Sequence, residues 1–280
     1  MGETKRDGKA SSRLLALGFG YVAQSLARRL SAQGWDVVGT NRSGRDGALA
    51  FDGAASPDLV AVAQRADAVL ISIPPDDGGC PAARALPTIS AGWVGYLSTT
   101  GVYGDLGGRW AFEWSPLRPT SDIAARRALA EAQWSARGAH IFRLPGIYGP
   151  GRSAFDRLRA GDAQRIVKAG QVFSRAHVDD ISAALRLSIA QPNACRAYNI
   201  CDDEPAPPQD VIVEAARLLG VAPPPEIPFE AATLSPMARR FYQDGKRVSN
   251  ARAKAELRWR PLYPSYREGL AAILASEHSQ

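Results

Sequence analysis

Disulfide scaffolding, membrane insertion and nucleic-acid binding are each argued against by something this sequence has little of. It holds three cysteines, Cys80, Cys195 and Cys201, which form neither a C-x-x-C pair nor an even set, so reduced thiols are expected rather than a disulfide framework. No stretch approaches the ~18 unbroken apolar residues that a membrane span needs. Lysine is scarce: only Lys5, Lys9, Lys168, Lys246 and Lys254 contribute to the 34 basic residues, and the arginines are scattered. The net charge of +6 therefore comes without a basic block interleaved with aromatics, and it describes a solvated surface rather than a nucleic-acid partner. The first twelve residues are polar and basic, and the apolar run after them stretches only from Leu14 to Leu17. That is too short for a signal-peptide core, so the expectation is a cytoplasmic protein, with no membrane partner and a flexible tail over residues 1–12.

What is present, 280 residues of which 45% are hydrophobic, suffices for a large core. The organising stretch is Leu14-Leu15-Ala16-Leu17-Gly18-Phe19-Gly20-Tyr21-Val22-Ala23. Four apolar residues read as a buried parallel strand. After the turn, Val22, Leu26 and Leu30 fall four apart and make one apolar helix face. Between them stands Gly18-x-Gly20-x-x-Ala23, the G-x-G-x-x-G/A dinucleotide fingerprint. Gly18 permits the tight turn, Gly20 lets backbone approach a pyrophosphate, and Ala23 lets helix pack close on strand. The helix start then offers unpaired N–H groups and a positive dipole end, so Gly18, Phe19, Gly20, Tyr21 and Val22 are the expected phosphate site.

The rest of the first two-thirds alternates strand and helix. Strands are expected at 36–40, ending at 51–52, and at 68–73, 93–98 and 140–144. Helices are expected over 57–65, 82–90 and 122–137. Such alternation predicts a Rossmann-type α/β fold, a doubly wound parallel sheet covered on both faces. Past Pro145 the pattern loosens into a glycine-rich loop over 146–153, helices to about 160 and over 178–189, and a returning strand at 197–200. Proline clusters then flank a helix over 209–219, and a last helix is capped by Ser265. The expected organisation is a dinucleotide-binding domain over 13–201, with a substrate-side insertion at about 146–176, and a small C-terminal substrate lobe over 202–280.

In the NAD form of this fold an acidic residue about 20 positions past the glycines holds the ribose 2′-hydroxyl. Here Thr40, Asn41, Arg42 and Ser43 occupy that place, with no carboxylate among them. Asn41 and Arg42 are therefore assigned to the cofactor, Arg42 to a 2′-phosphate, and NADP(H) is preferred, with NAD(H) as the open alternative.

These residues resemble the extended and atypical short-chain dehydrogenase/reductase superfamily, the group of NAD-dependent epimerase/dehydratase proteins. Ser98-Thr99-Thr100-Gly101-Val102-Tyr103-Gly104-Asp105 is similar to that group's S-T-x-x-V-Y-G-D segment. Arg143-Leu144-Pro145-Gly146-Ile147-Tyr148-Gly149-Pro150-Gly151 is similar to its loop near the nicotinamide and substrate. His177-Val178-Asp179-Asp180 and Glu256-Leu257-Arg258-Trp259-Arg260-Pro261 resemble two further motifs, in the right order. The resemblance implies that Asp52 reaches the adenine, that Ile73 and Pro74 line its pocket, and that Pro145, Gly146 and Ile147 face the nicotinamide. It also implies that Thr99 is the catalytic hydroxyl, with a place beside the cofactor.

The departure falls on the catalytic pair. The family's Tyr-x-x-x-Lys precedes a glutamate by four residues, and with Glu131 as ruler the lysine place holds Arg127 and the tyrosine place Ile123. Isoleucine transfers no proton, and Arg127 keeps its charge at any physiological pH. Arg127 is assigned to the cofactor. Tyr103, whose phenol is expected in the same cleft, is the candidate proton donor with Thr99 as orienting hydroxyl, although both residues also read as strand-end hydrogen bonders. Tyr242-x-x-x-Lys246 carries no helical pattern and reads as chance. His177 reads as structural, with Asp179 or Asp180 capping a helix. Tyr148, Arg152 and Arg175 are assigned to the substrate, within an arginine-rich segment suited to an anion or to solvent.

The functional expectation is an oxidoreductase or epimerase/dehydratase on a small, anionic or nucleotide-sugar-like substrate, using a non-standard acid/base and working as a monomer or homodimer. The alternative is a dinucleotide-binding redox sensor or assembly factor without turnover. No metal site is expected.

Overall fold

The structure is a computed structural model that describes residues 11–193, 196–235, 239, 242 and 244–278; residues 1–10 of the expected tail, and Cys195, lie outside them. The first half alternates β1 (Arg13–Leu17), α1 (Tyr21–Ser31), β2 (Asp36–Asn41), β3 (Leu49–Ala50), α2 (Pro57–Arg65), β4 (Ala68–Ile71), α3 (Pro81–Ala85) and β5 (Trp93–Thr99). A short β6 (Trp110–Ala111), α4 (Asp122–Ser135) and β7 (His140–Leu144) follow. Later come β8 (Gly146–Tyr148), α5 (Ala154–Arg159), β9 (Arg165–Val167), β10 (Arg175–His177), α6 (Val178–Ala190) and β11 (Ala197–Asn199). The chain ends with α7 (Pro208–Leu219), β12 (Glu226–Pro228), β13 (Arg247–Val248), α8 (Ala251–Glu256) and α9 (Tyr266–Glu277).

Seven strands form one parallel sheet in the order β11-β7-β5-β4-β1-β2-β3, the doubly wound arrangement expected from the alternation. All four residues of β4 are buried, as a strand covered on both faces requires. One face is closed by Val22, Leu26 and Leu30 of α1 and by Ile181 and Leu185 of α6. The other is closed by Leu59 of α2, Ala82 of α3 and Trp134 of α4. Among the described residues no helix is long and apolar enough to cross a membrane.

Three expectations are corrected. The helix anticipated over 82–90 ends at Ala85, before the proline at 87. The loop anticipated over 146–153 begins with a strand, β8, which pairs in parallel with β10. Residues 251–259, assigned with the C-terminal lobe, pack elsewhere: Ala253, Leu257 and Trp259 join the apolar cluster under the sheet. The Trp259 indole donates to the Asp180 carbonyl at 3.1 Å. A separate apolar cluster gathers around Phe155 of α5, Ala215 of α7 and Leu270 of α9, and β9 pairs with β12.

Candidate functional site: a dinucleotide cleft without the usual acid–base pair

The turn between β1 and α1 hangs between the ends of two neighbouring strands. The Gly18 N–H donates to the Thr40 hydroxyl at 3.0 Å and the Phe19 N–H to the Thr40 carbonyl at 2.8 Å, both on β2. From beyond β4, the Ser72 hydroxyl donates to the Gly18 carbonyl at 2.9 Å. Gly18 has φ +92°, and a Cβ there would stand 2.9 Å from Ile73 Cγ2, so the position is closed to other residues. Gly20 is the opposite case. It is the N-cap of α1, and a Cβ there would meet nothing within 4 Å. Neither a side-chain cap nor a first-turn carboxylate covers the start of α1, which suits it to an anion.

That turn opens into a cleft of about 410 Å³. Gly18, Phe19, Gly20, Asn41 and Arg42 are among the residues that line it. Asp52, Ile73 and Pro74 line it as well, so these residues, far apart in sequence, share one wall system. The Asn41 side chain is spent on its own turn, accepting from the Ser43 N–H at 3.0 Å and the Arg45 N–H at 3.2 Å, whereas Arg42 is exposed. Thr40, Ser72 and Pro81 also line the cleft and were not anticipated. A small hydroxyl residue at the end of each flanking strand was the available signal for the first two. Gly39 was a second missed signal: a Cβ there would run into the Phe19 ring, so a glycine inside β2 makes room for the turn's aromatic side chain.

Val22 is buried in the sheet's apolar cluster and is not among the residues that line the cleft. Tyr21 points out of the turn and donates to the Pro150 carbonyl at 2.9 Å.

The carboxyl end of β5 departs from the sequence expectation. The Thr99 hydroxyl accepts from the Gly101 N–H at 3.1 Å and caps the short turn 100–103. Tyr103 is fully buried, so its phenol does not enter the cleft. It donates to Asn199 Oδ1 at 2.7 Å and accepts from Arg143 Nη1 at 2.9 Å. Burial pushes its pKa up to about 12, against the opposing influence of Arg143. Arg127 points inward to the strand, donating to the Leu97 carbonyl at 2.9 Å and the Tyr96 hydroxyl at 3.2 Å. Ile123, at the tyrosine place, is 55% exposed. Pro145 precedes β8, which holds Gly146 and Ile147 against β10.

The residues assigned to substrate separate as well. Tyr148 is buried in the apolar cluster around Phe155 and Leu270, its hydroxyl 3.4 Å from the Ser265 carbonyl, and it packs edge-on against His177. It is therefore part of the scaffold. Arg175 donates through Nη1 to the Phe173 carbonyl at 2.9 Å and the Ala206 carbonyl at 3.0 Å, tying two segments together rather than presenting that nitrogen to a ligand. Arg152 alone of the three is exposed. His177 is structural in a manner not foreseen. Its own ring caps α6, Nδ1 accepting from the Asp179 N–H at 3.2 Å. Asp180 instead accepts the Leu262 and Tyr263 N–H groups, at 2.6 and 3.1 Å, and anchors the C-terminal segment. Lys246 is buried and donates to the Gly104 carbonyl at 2.7 Å, and the described residues 244–246 are not helical. Cys80 and Cys201 are free and buried.

Protein YeeZ of Escherichia coli K12 is 30% identical over a 244-residue alignment that covers 74% of this chain and 84% of that protein. The chain belongs to the YeeZ family, among the epimerase/dehydratase-like short-chain dehydrogenase/reductases. A conserved protein of unknown function from Silicibacter pomeroyi superimposes with a TM-score of 0.87 at 45% identity, covering 95% of this chain and 99% of the other. A putative NAD-dependent epimerase/dehydratase from Methylobacillus flagellatus gives 0.75 at 29% identity, covering 96% and 100%. A family of coenzyme F420-dependent NADP oxidoreductases matches residues 13–83, the part of this YeeZ-family chain that carries the glycine turn, Arg42 and Asp52. Structures of the same fold at lower identity hold NADPH or NAD.

Proposed function

We propose that this YeeZ-family protein is an NADP(H)-dependent oxidoreductase that acts on a small electrophile without a tyrosine–lysine proton relay. The observation that carries the cofactor is Gly20: its missing Cβ leaves open space in the cleft at an uncapped helix start. Arg42 on the same cleft, with no carboxylate in the 2′-hydroxyl place, supports NADP(H) over NAD(H). The bound nicotinamide supplies a hydride acceptor or donor. Asp52, Ile73 and Pro74 are suited to hold the adenine end, and Thr99 and the backbone of Pro145 to Ile147 the nicotinamide end.

The choice of oxidoreductase over epimerase or dehydratase rests on proton accounting. Epimerisation and dehydration through a keto intermediate need a group that takes a proton from the substrate and returns it. Exposed Ile123 has no such group, and Arg127 is a permanent cation committed to Leu97 and Tyr96. A single hydride transfer needs only one proton, which water at an open site supplies. The commitment of Arg127 also favours a second reading, a dinucleotide-binding protein without turnover.

The test combines calorimetry with an NADPH-consumption assay over aldehydes, ketones, imines and activated alkenes. Tight NADPH binding with consumption on one of these classes supports the oxidoreductase. Binding without consumption across the panel favours the second reading, and absence of dinucleotide binding overturns both.

A further inference from the structure

Tyr21 is the first residue of α1, directly after the Gly20 cap, and it reaches across to the loop that follows β8. Its hydroxyl donates to the Pro150 carbonyl at 2.9 Å. Gly149 makes the approach feasible, because a Cβ there would run into the Tyr21 hydroxyl and stand 2.8 Å from Val178 Cγ1. The loop is tightly closed: the Gly149 N–H donates to the Arg152 carbonyl at 3.2 Å, and the Arg152 N–H to the Gly149 carbonyl at 3.0 Å. On its far side the Ser153 capping box starts α5, with the Ser153 N–H donating to Asp156 Oδ2 at 2.6 Å. The backbone of Arg152 is thus fixed on both sides. Its exposed guanidinium lies over the Tyr21 ring, 5.8 Å from the centroid.

We infer that Arg152 is a cofactor residue, not a substrate residue: it supplies the side-chain cation for the pyrophosphate beside the glycine turn, with Tyr21 as its positioning residue. The proposal rests on the cofactor reading above and adds to it. The glycine turn and the first turn of α1 offer backbone N–H groups and no cation of their own, the first basic residue of that helix being Arg28. A diphosphate seated there carries negative charge that N–H groups and a helix dipole offset only in part. Arg152 is brought to that helix end by the fold, and its flat fork matches phosphate oxygens. The cation–π contact with the Tyr21 ring keeps the guanidinium beside the start of α1 before any ligand arrives, which lowers the ordering cost of the contact.

The experiment titrates ADP, which carries the diphosphate alone, and 2′-AMP, which carries only the 2′-phosphate, against wild type and variants. Arg152→Gln should weaken ADP about tenfold and leave 2′-AMP unchanged, whereas Arg42→Ala should do the reverse. Arg152→Lys should restore part of the ADP affinity. Tyr21→Leu should weaken ADP in the wild-type background and add nothing in the Arg152→Gln background, a non-additivity that a merely structural role would not produce. Since Arg152 is exposed, an unchanged melting temperature in Arg152→Gln serves as the folding control. Unchanged ADP affinity in a folded Arg152→Gln overturns the proposal, and additive losses overturn the role of Tyr21. If wild type binds neither nucleotide, the cofactor reading itself has failed.

Discussion

Glu131 of α4 and Arg143 of β7 form an ion pair of 2.8 Å with side chains only 4% and 7% exposed. Arg143 meets both carboxylate oxygens through Nε at 3.2 Å, and its remaining arm donates to the Tyr103 hydroxyl and, at 3.0 Å, to the Glu113 carbonyl. The Ser98 hydroxyl completes the carboxylate at 2.5 Å. Glu131 is the residue by which the missing catalytic pair is located, and its partner lies across the sheet interface rather than in the cleft. Removing one side of a buried pair strands the other charge, so Glu131→Ala should destabilise the fold by ~3–5 kcal/mol. Denaturant unfolding checks it.

Tyr103 belongs to the same network and should behave as scaffold. Tyr103→Phe should cost ~1–3 kcal/mol, because Arg143 and Asn199 each lose a buried partner, while NADPH affinity stays at the wild-type level. A loss of affinity with unaltered stability would return Tyr103 to the cleft.

The two glycines of the turn should separate folding from binding. Gly20→Val projects into open cleft, so the melting temperature should hold while NADPH binding is abolished. Gly18→Val faces both φ +92° and the Ile73 side chain, so it should lower the melting temperature as well. Thermal melts beside fluorescence titrations decide between the two patterns.

Local signals were enough for the sheet and the glycine turn. The unbroken apolar run at 68–71 and the glycine spacing after β1 each follow from neighbours within one turn or strand. What was not legible depends on partners far along the chain. β8 is a strand only because β10 lies beside it, nearly thirty residues later. Asp180 looks like a helix cap until Leu262 and Tyr263 arrive to donate to it. The V-Y-G-D spelling announces Tyr103, yet Arg143 and Asn199 decide which way its hydroxyl points.

Arg42 should set cofactor preference. Its exposed guanidinium is suited to a charge-assisted contact with a 2′-phosphate, a contact that contributes ~1.5–3 kcal/mol, about ten- to hundredfold in affinity. Arg42→Ala should reduce the NADPH-over-NADH ratio by that factor through weaker NADPH binding. Calorimetry with both nucleotides checks it, and equal wild-type affinities would remove Arg42 from the site.

Asp202 should make stability fall as pH rises. Its carboxylate oxygens are buried without a protein partner, and burial pushes its pKa from 3.8 up to about 8, against the opposing pull of Arg175. The folded protein therefore keeps a proton that the unfolded chain has lost. That contribution is full below pH ~4, declines by up to ~1.4 kcal/mol per pH unit through the window, and is gone above pH ~8. Asp202→Asn removes the titration. Unfolding free energies should show wild type losing stability relative to the variant between the two pKa values, with the variant the more stable at the alkaline end. Parallel curves would show that Asp202 is ionised at neutral pH.

The substitutions at Ile123 and Arg127 give the last prediction. Ile123 is exposed, so Ile123→Tyr needs no cavity and should cost less than ~0.5 kcal/mol. Arg127→Lys is different. The guanidinium bridges the Leu97 carbonyl and the Tyr96 hydroxyl while lying 5.9 Å from the Tyr96 ring centre, and an ammonium cannot keep that fork. The lysine is thereby free to turn toward the cleft, where its charge lowers the pKa of a neighbouring phenol. Placing a proton donor in the site should raise turnover of a carbonyl substrate by ~10²- to 10⁴-fold over wild type. The gain should appear only in the double variant, since the phenol needs the cation and the cation alone transfers nothing. A pH–rate profile supplies the check: the active double variant should show an ionisation below that of free tyrosine, absent from wild type. A folded, NADPH-binding double variant with wild-type turnover would mean that the cleft does not present a carbonyl to residue 123.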